Sequence, residues 1–326
     1  MTRGSVEELL AALRSVLEAD GRSNINVDVD LGSLTTYRVG GRAPVSVVAG
    51  SVDALVAVMR TAADFNLPTL MIGRGSNMLV SDSGFSGVVV RLGSFSESFA
   101  VEPGSVEDEA RCLVGAGLAL PVVARRTASL GLGGFEWAVG VPGSVGGAVR
   151  MNAGGHGSDM AATLSSVEIL DTSTSSVDSH KPADLALGFR SSRLSDHEIV
   201  LSAELRLVKT DVSESTARVD EIVRWRREHQ PGGQNCGSVF VNPVPGEVSA
   251  GELVDGLGLR GFRIGSAEVS TRHANFIQAD PGGSADDVLA VIAEVHRRVL
   301  EATGYDLRTE VRLVGFGDDD GVRVSG

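Results

Sequence analysis

Apolar residues change their spacing several times along this chain, and each change predicts an element. Leu9, Leu10, Leu13 and Leu17 recur at helical spacing behind Ser5 and Glu8, a capping-box pair, so residues 5–18 are predicted to form a short amphipathic helix. A polar segment follows to Leu34, then a turn over 35–44, TTYRVGGRAP. Residues 45–49 read as a strand, Ser51 as the cap of a helix over 52–66, and Pro68 as its stop. The run TLMIG at 69–73 reads as a buried strand feeding into GRGSNML at 73–79, and 88–92 as the next strand. Strand, helix and strand in this order predict a mixed α/β layer.

Residues 94–110 are polar and acidic, which predicts an exposed hairpin or loop, with a strand at 112–115. A helix is predicted over 121–130, with Pro121 in its first turn. Strands at 167–170 and 199–207 flank the segment LALGFRSSRL at 185–194, while the polar run 172–179 reads as a solvated loop. The pattern turns strongly charged near 209–214, where a domain boundary is placed, ahead of a helix over 215–229. Beyond it come a helix near 253–257, a strand or turn across 270–278, a helix over 285–303, a final strand at 307–315 and an acidic tail at 318–320.

Composition narrows the functional classes. A length of 326 residues predicts two or three domains, and 42% hydrophobic with 22% charged residues is a globular balance. Glycine, at 41 residues, is well above the usual share of about 7% and predicts many backbone-lined loops. A formal net charge of −13 disfavours general binding to nucleic acid or an anionic membrane. Lys181 and Lys209 are the only lysines, so an anionic ligand would be met by arginines and main-chain amides. Cys112 and Cys236 form no CxxC pair, which fits a reducing cytoplasm. Glu7, Glu8 and Arg14 interrupt any signal-peptide core, and no run of about 18 apolar residues predicts a membrane span.

Against this background the stretch EWAVGVPGSVGGAVRMNAG at 136–154 stands apart. It is uncharged from Ala138 to Val149, and Gly140, Gly143, Gly146 and Gly147 leave main-chain amides uncovered. Such amides suit phosphate oxygens, although a buried, tightly turned connection is the ordinary alternative. A P-loop needs Gly-Lys, which is absent; GRGSNM places Met78 where a dinucleotide fingerprint needs its third glycine. The six histidines show no metal-ligand spacing and there is no GxSxG elbow, so no metal is expected and hydrolase or kinase chemistry is disfavoured. Three isolated polar residues remain. Arg190 has an ordinary reading as a surface partner of Asp184 or Asp196, Ser238 as a turn or cap residue, and Glu310 as the solvent face of an edge strand.

Taken together and in order, TTYRVGG (35–41), GRGSNML, GVPGSVGGAVRMNAG (140–154), GFRSS (188–192), CGSVFVNP (236–243) and EVRLVG (310–315) resemble the UDP-N-acetylenolpyruvoylglucosamine reductases. These flavoenzymes complete UDP-N-acetylmuramate for bacterial peptidoglycan and cell-wall synthesis. The resemblance spans nearly the whole chain and implies an α+β fold. A two-lobed FAD-binding region of the p-cresol methylhydroxylase type would occupy 35–208 after a lead-in at 1–34. A smaller α/β substrate domain would follow at 209–326, its last strand returning Glu310 to the active site. It implies FAD contacts from Tyr37, Arg38, Gly40, Gly73, Arg74, Gly75, Ser76, Asn77, Met78, Gly140, Pro142, Gly143, Ser144, Gly146, Gly147, Asn152 and Gly154. It also implies NADPH as reductant, a sugar nucleotide as substrate, no nucleic-acid or membrane partner, a monomer and a cytoplasmic location.

The implied reaction passes a hydride from NADPH through FAD to C3 of an enolpyruvyl ether, while negative charge develops at C2 and its carboxylate. Arg190 matches the arginine that holds that carboxylate, Glu310 the glutamate that works with it, and Ser238 the proton donor to C2. Phe189 and Asn242 match substrate-binding positions, with Phe189 standing where tyrosine is frequent and Arg272 where lysine is frequent. CGSVF without an inserted tyrosine-bearing loop resembles the shorter of the family's two subtypes. Arg224, Arg226 and Arg227 are candidates for the uridine diphosphate, or else a solvated helix face. Two rival readings are an oxygen-using FAD oxidase on the same flavin fold and a non-catalytic binder; a binder has no use for a proton donor such as Ser238.

Overall fold

A computed structural model describes residues 3–317, so the acidic tail expected at 318–320 lies outside the described residues. The chain forms two units, each assembled from segments distant in sequence. Unit 1 holds residues up to Asn26, Val45–Arg74 and Gly87–Arg226; unit 2 holds Val27–Pro44, Gly75–Ser86 and the chain from Arg227 on.

In unit 1, Val88–Leu92 lies between Arg42–Ala49 and Thr69–Met71, parallel to both. Its valines are buried because helices cover the sheet. Leu9, Leu13 and Leu17 of the helix Arg3–Leu17 and Leu55 and Val58 of Val52–Asp64 form one core with Val45, Val47, Val88 and Val90. Ser51 caps the second helix, its Oγ accepting the Ala54 N–H at 3.1 Å. The segment read as polar before Leu34 contains a strand, Asn24–Asp30, at the edge of this sheet. It is mostly exposed, although Ile25, Val27 and Val29 alternate with polar residues along it and Ile25 packs against the core.

The second layer of unit 1 is antiparallel, ordered Ser176–His180, Leu164–Asp171, Glu198–Lys209, Glu109–Gly115 and Phe99–Pro103. The polar acidic stretch before Gly115 is the hairpin of the last two strands. The run 172–179 is not all loop: Ser176–His180 pairs with Leu164–Asp171 as an outer strand whose side chains stay largely in solvent. The helices Leu120–Ser129 and Val145–Arg150 bury Leu120, Val123, Val145 and Val149 against this sheet with Phe135 and Trp137.

In unit 2 the helix Ala285–Thr303 packs Val288, Val291, Ile292, Val295 and Val299 with Ala267, Val269, Ile277 and Ala279 of a small antiparallel sheet. Two further strands, Met78–Val80 and Arg312–Val314, pair in parallel with Arg312 opposite Met78. The final strand is therefore shorter than the 307–315 run suggested. Residues before it turn aside to pair with another segment through the bridge Phe240–Thr309. Asp82 docks the helix Ala285–Thr303 by its start, accepting from Ser284 Oγ at 2.5 Å, Ala285 N at 3.0 Å and Asp286 N at 3.2 Å. Asp82→Ala is predicted to cost about 1–2 kcal/mol, as a lost helix cap does, and to lower the melting temperature. An unchanged melting curve would refute that role.

Candidate functional site

In unit 1 the glycine stretch runs through the 3₁₀ turn Glu136–Gly140 into the short helix Val145–Arg150, which Ser144 caps. Several of its amides are already engaged: Val145 N donates to Leu118 O and Gly146 N to Ala116 O, both at 2.9 Å, and Gly147 N to Ser144 Oγ at 3.4 Å. Gly146 serves close packing, since a Cβ there would lie 3.0 Å from Ala116 Cβ. A Cβ on Gly73 would lie 2.5 Å from Ser144 Oγ, so the start of the GRGSN loop and the 140–154 stretch meet there and a larger residue would have to displace the Ser144 hydroxyl.

Asn152 is buried in a left-handed conformation, φ +38°. Its amide nitrogen donates to Gly188 O at 2.9 Å and Asp159 Oδ2 at 3.1 Å, and its oxygen accepts Ala161 N at 2.9 Å. The side chain thus staples the GFR segment to the glycine stretch. Arg190 is also left-handed, φ +56°, and donates to Gly154 O at 2.7 Å, with a longer 3.5 Å contact to Asn152 O. Its guanidinium lies 4.9 Å from the centre of the half-exposed Phe189 ring. Asp196 binds Arg150 at 2.7 Å, and Asp184 accepts Lys181 N at 2.8 Å.

Sequence reasoning passed over His156, which is left-handed at φ +52° and meets Trp225 edge-on with ring centres 5.0 Å apart. Burial, then Arg226 and Arg218, lower its pKa; burial alone lowers that of Arg226. A Cβ on Gly140 would meet both His156 and Arg226 at 3.3 Å. Arg226 is the half-buried member of its trio, while Arg224 and Arg227 are exposed.

Unit 2 gathers the other expected residues. Thr36 N donates to Gly75 O at 3.1 Å, and Gly75, φ +59°, faces Leu34 O with no room for a Cβ. Gly40, φ +115°, is equally close to Val80, and Arg38 is exposed and left-handed, φ +57°. Ser76 is half-buried, and Met78 opens the strand paired with Arg312–Val314. Asn77 donates its amide to Glu310 O at 2.9 Å, Arg312 N returns to Asn77 O at 3.1 Å, and Glu310 N donates to Val239 O at 2.8 Å. Asn77, Glu310 and the residue after Ser238 are therefore joined through main-chain bonds. Glu310 stands just ahead of the strand Arg312–Val314, not on an outward edge of it. Asn242 accepts Ala250 N at 3.1 Å and so holds the start of the helix Ala250–Gly256.

Tyr37 is wholly buried beside the Cys236 thiol. Burial pushes Cys236 up to about 12; the Tyr37 hydroxyl offsets part of that and the Glu310 charge adds to it. The thiol stays protonated at neutral pH and is no nucleophile. Thr36 Oγ1 and Gln234 Oε1 in this unit, and Trp137 Nε1 in unit 1, are buried without a hydrogen-bond partner, and the Tyr37 hydroxyl has the Cys236 thiol beside it. Each such atom costs about 1–3 kcal/mol unless something meets it, so polar capacity stands ready at both glycine-rich segments. Among the described residues no helix is long and apolar enough to cross a membrane.

The family described as "FAD binding domain" matches residues 43–178, and "UDP-N-acetylenolpyruvoylglucosamine reductase, C-terminal domain" matches 229–314. UDP-N-acetylenolpyruvoylglucosamine reductase of Gloeobacter violaceus is 40% identical over 299 residues, 91% of this chain and 98% of that one. The chain belongs to the UDP-N-acetylenolpyruvoylglucosamine reductase family. The reductase of the same name from Synechococcus sp. (strain RCC307) is 41% identical over 302 residues, covering 92% of this chain and 97% of its own. The crystal structure of the Thermus caldophilus reductase superposes with a TM-score of 0.76 at 33% identity, over 90% of this chain and 99% of that one.

This reductase is accordingly an FAD-dependent enzyme, and the α+β class with an FAD-binding region is borne out. Its residues fit the cofactor: Gly73 leaves no side chain between the GRGSN loop and Ser144, and the unmet atoms at Thr36 and Trp137 await polar partners.

Two rings set a pH dependence. His156 and His273 both have pKa values lowered from 6.5, chiefly by burial, so the fold favours their neutral forms. As pH falls below about 6.5 the unfolded chain takes up protons that these rings resist, and stability drops; above that it is level with respect to them. Melting temperature is predicted to fall from about pH 7 to about pH 5.5. His273→Gln should flatten the fall, and an unchanged slope in that variant would count against the assignment.

Proposed function

We propose that the enzyme uses NADPH to reduce UDP-N-acetylglucosamine enolpyruvate to UDP-N-acetylmuramate, a peptidoglycan precursor. When bound, FAD supplies the hydride relay between NADPH and C3 of the enolpyruvyl ether. Arg190 binds the substrate carboxylate with a charge it cannot lose, and stabilises the negative charge that spreads there from C2. Ser238 gives its hydroxyl proton to C2, which balances the hydride added at C3. Glu310 works with Arg190 on the same carboxylate, protonated when it donates.

Main-chain amides of the 73–79 and 140–154 segments hold the FAD pyrophosphate. In the second segment Gly143 and Ser144 are the donors, since Val145, Gly146 and Gly147 are engaged within the protein. Gly140, Pro142, Gly146 and Gly154 shape that cradle. Gly73, Arg74, Gly75, Ser76, Asn77 and Met78 form the other side of the contact set, with Tyr37, Arg38 and Gly40. Asn152 contributes by position, its amide being occupied by Gly188, Asp159 and Ala161. Asn242 and Phe189 contact the sugar nucleotide, and Arg226 takes its diphosphate. Residues 35–208 carry FAD and 209–326 the substrate, in a cytoplasmic monomer.

The observation that carries this reading is the bond from Asn77 to Glu310, whose own N–H reaches the residue next to Ser238. It ties a flavin-loop residue to both proton-handling positions. Ser238→Ala tests it. Reduction of the bound flavin by NADPH is predicted to stay near normal. Its reoxidation by the sugar nucleotide is predicted to slow by about 10²-fold or more, as for a lost general acid. Equal losses in both half-reactions would contradict the role. Rapid reoxidation by oxygen with no need for Ser238 would favour an oxidase instead.

A further inference from the structure

The segment that carries Ser238 is held on its two sides by very different partners. On one side lies the chain before the last strand. Glu310 N donates to Val239 O at 2.8 Å, Val241 N donates to Arg308 O at 2.9 Å, and Phe240 bridges Thr309 between them. On the other side no strand runs. Phe240 is almost fully buried, so its N–H and carbonyl need partners that water does not supply.

One side chain provides both. Asn275 Oδ1 accepts Phe240 N at 2.9 Å, and Asn275 Nδ2 donates to Phe240 O at 2.8 Å. Its main-chain oxygen also accepts Val239 N at 2.9 Å. The carboxamide has a donor and an acceptor at the spacing of a peptide group and so completes a missing neighbouring strand. Aspartate lacks the donor, and an apolar residue lacks both.

Asn275 is itself fixed. It is 4% exposed and sits in a loop closed by Ser270 N donating to Phe276 O at 2.8 Å and Phe276 N to His273 O at 3.0 Å. His273 Nδ1 accepts Asn275 N at 3.3 Å. The clamp therefore presses Val239–Phe240 between an immobilised amide and the strand-like run that ends in Glu310.

We infer that Asn275 is the positioning residue for the proton donor, setting the register between the Ser238 segment and the Glu310 segment. This rests on the reading of Ser238 as that donor. The residue touches no reacting atom; it acts by fixing where Ser238 Oγ can be. Displacement of a reacting group by about 1 Å costs about 10²-fold in rate, so loss of one bond to Phe240 is enough to be seen.

The test is a double-mutant cycle in the FAD-loaded full chain, with Asn275→Asp, Ser238→Ala and the pair. Asn275→Asp is expected to slow reoxidation by the sugar nucleotide by about 10- to 100-fold while flavin reduction by NADPH stays within about 2-fold. In the Ser238→Ala background the same change should add less than about 3-fold, because its effect passes through Ser238, whereas its melting-temperature loss should be the same in both backgrounds. Asn275→Gln keeps donor and acceptor on a longer stem and should fall between wild type and Asn275→Asp. It takes the place of Asn275→Asp in the cycle if that variant does not fold. Additive losses, or equal losses in both half-reactions, would overturn the inference while leaving the Ser238 role intact. A Ser238→Ala enzyme with normal reoxidation would overturn both.

Discussion

The parallel pairing of Met78–Val80 with Arg312–Val314 joins parts of the chain far apart in sequence, and unit 2 depends on it. Closing so long a loop is less costly than it looks, because each doubling of length adds only about 0.6 kcal/mol. The return is the burial of Leu79 and Val311 in the core of the unit, together with the bonds between Asn77 and its neighbours Glu310 and Arg312. Without this pair, Glu310 would have no fixed relation to the loop that follows Gly73. The same closure presents Arg308 and Glu310 to the Ser238 segment, so one strand contact orders a flavin-loop residue, an acid and a proton donor.

Unit 1 uses backbone conformation for a similar purpose. Asn152, His156 and Arg190 are all left-handed, a state that L residues other than glycine enter at a cost of about 1–3 kcal/mol. Hydrogen bonds from Asn152 and Arg190 into each other's segments hold that strain in place. The arginine side chain thus leaves the main chain in a direction that an ordinary strand or helix would not give it. Glycine at 73 and 146 complements this by letting the main chain approach the side chains of Ser144 and Ala116 closely.

Elements with a strong apolar period were legible in the sequence. The helix Ala285–Thr303 and the strand Val88–Leu92 have the limits that the pattern implied, and the first helix lies within two residues of them. Ser176–His180 was not legible, because this outer strand is polar and held by main-chain bonds, whereas Asn24–Asp30 carries an alternation of Ile25, Val27 and Val29 that the polar reading of its segment passed over. The glycine-rich segments were visible as anion-ready loops, but the engagement of Val145 and Gly146 amides by Leu118 and Ala116 depends on tertiary approach. For the same reason a single sequence does not distinguish Asn152 and Asn275, whose carboxamides brace the protein, from an asparagine reserved for ligand. His156 carried no motif at all; its place beside Trp225 exists only in the folded unit.

Trp137 and Trp225 are the only tryptophans, and both belong to unit 1, one buried against Phe135 and the other half-exposed against His156. Intrinsic indole emission is therefore a private channel to that unit, and the unit containing Ser238 and Glu310 is dark in it. A denaturation curve followed by emission records the first unit alone, while one followed by far-ultraviolet dichroism records both. Comparing the two curves separates the melting of the Arg190-bearing unit from that of its neighbour without any label or mutation.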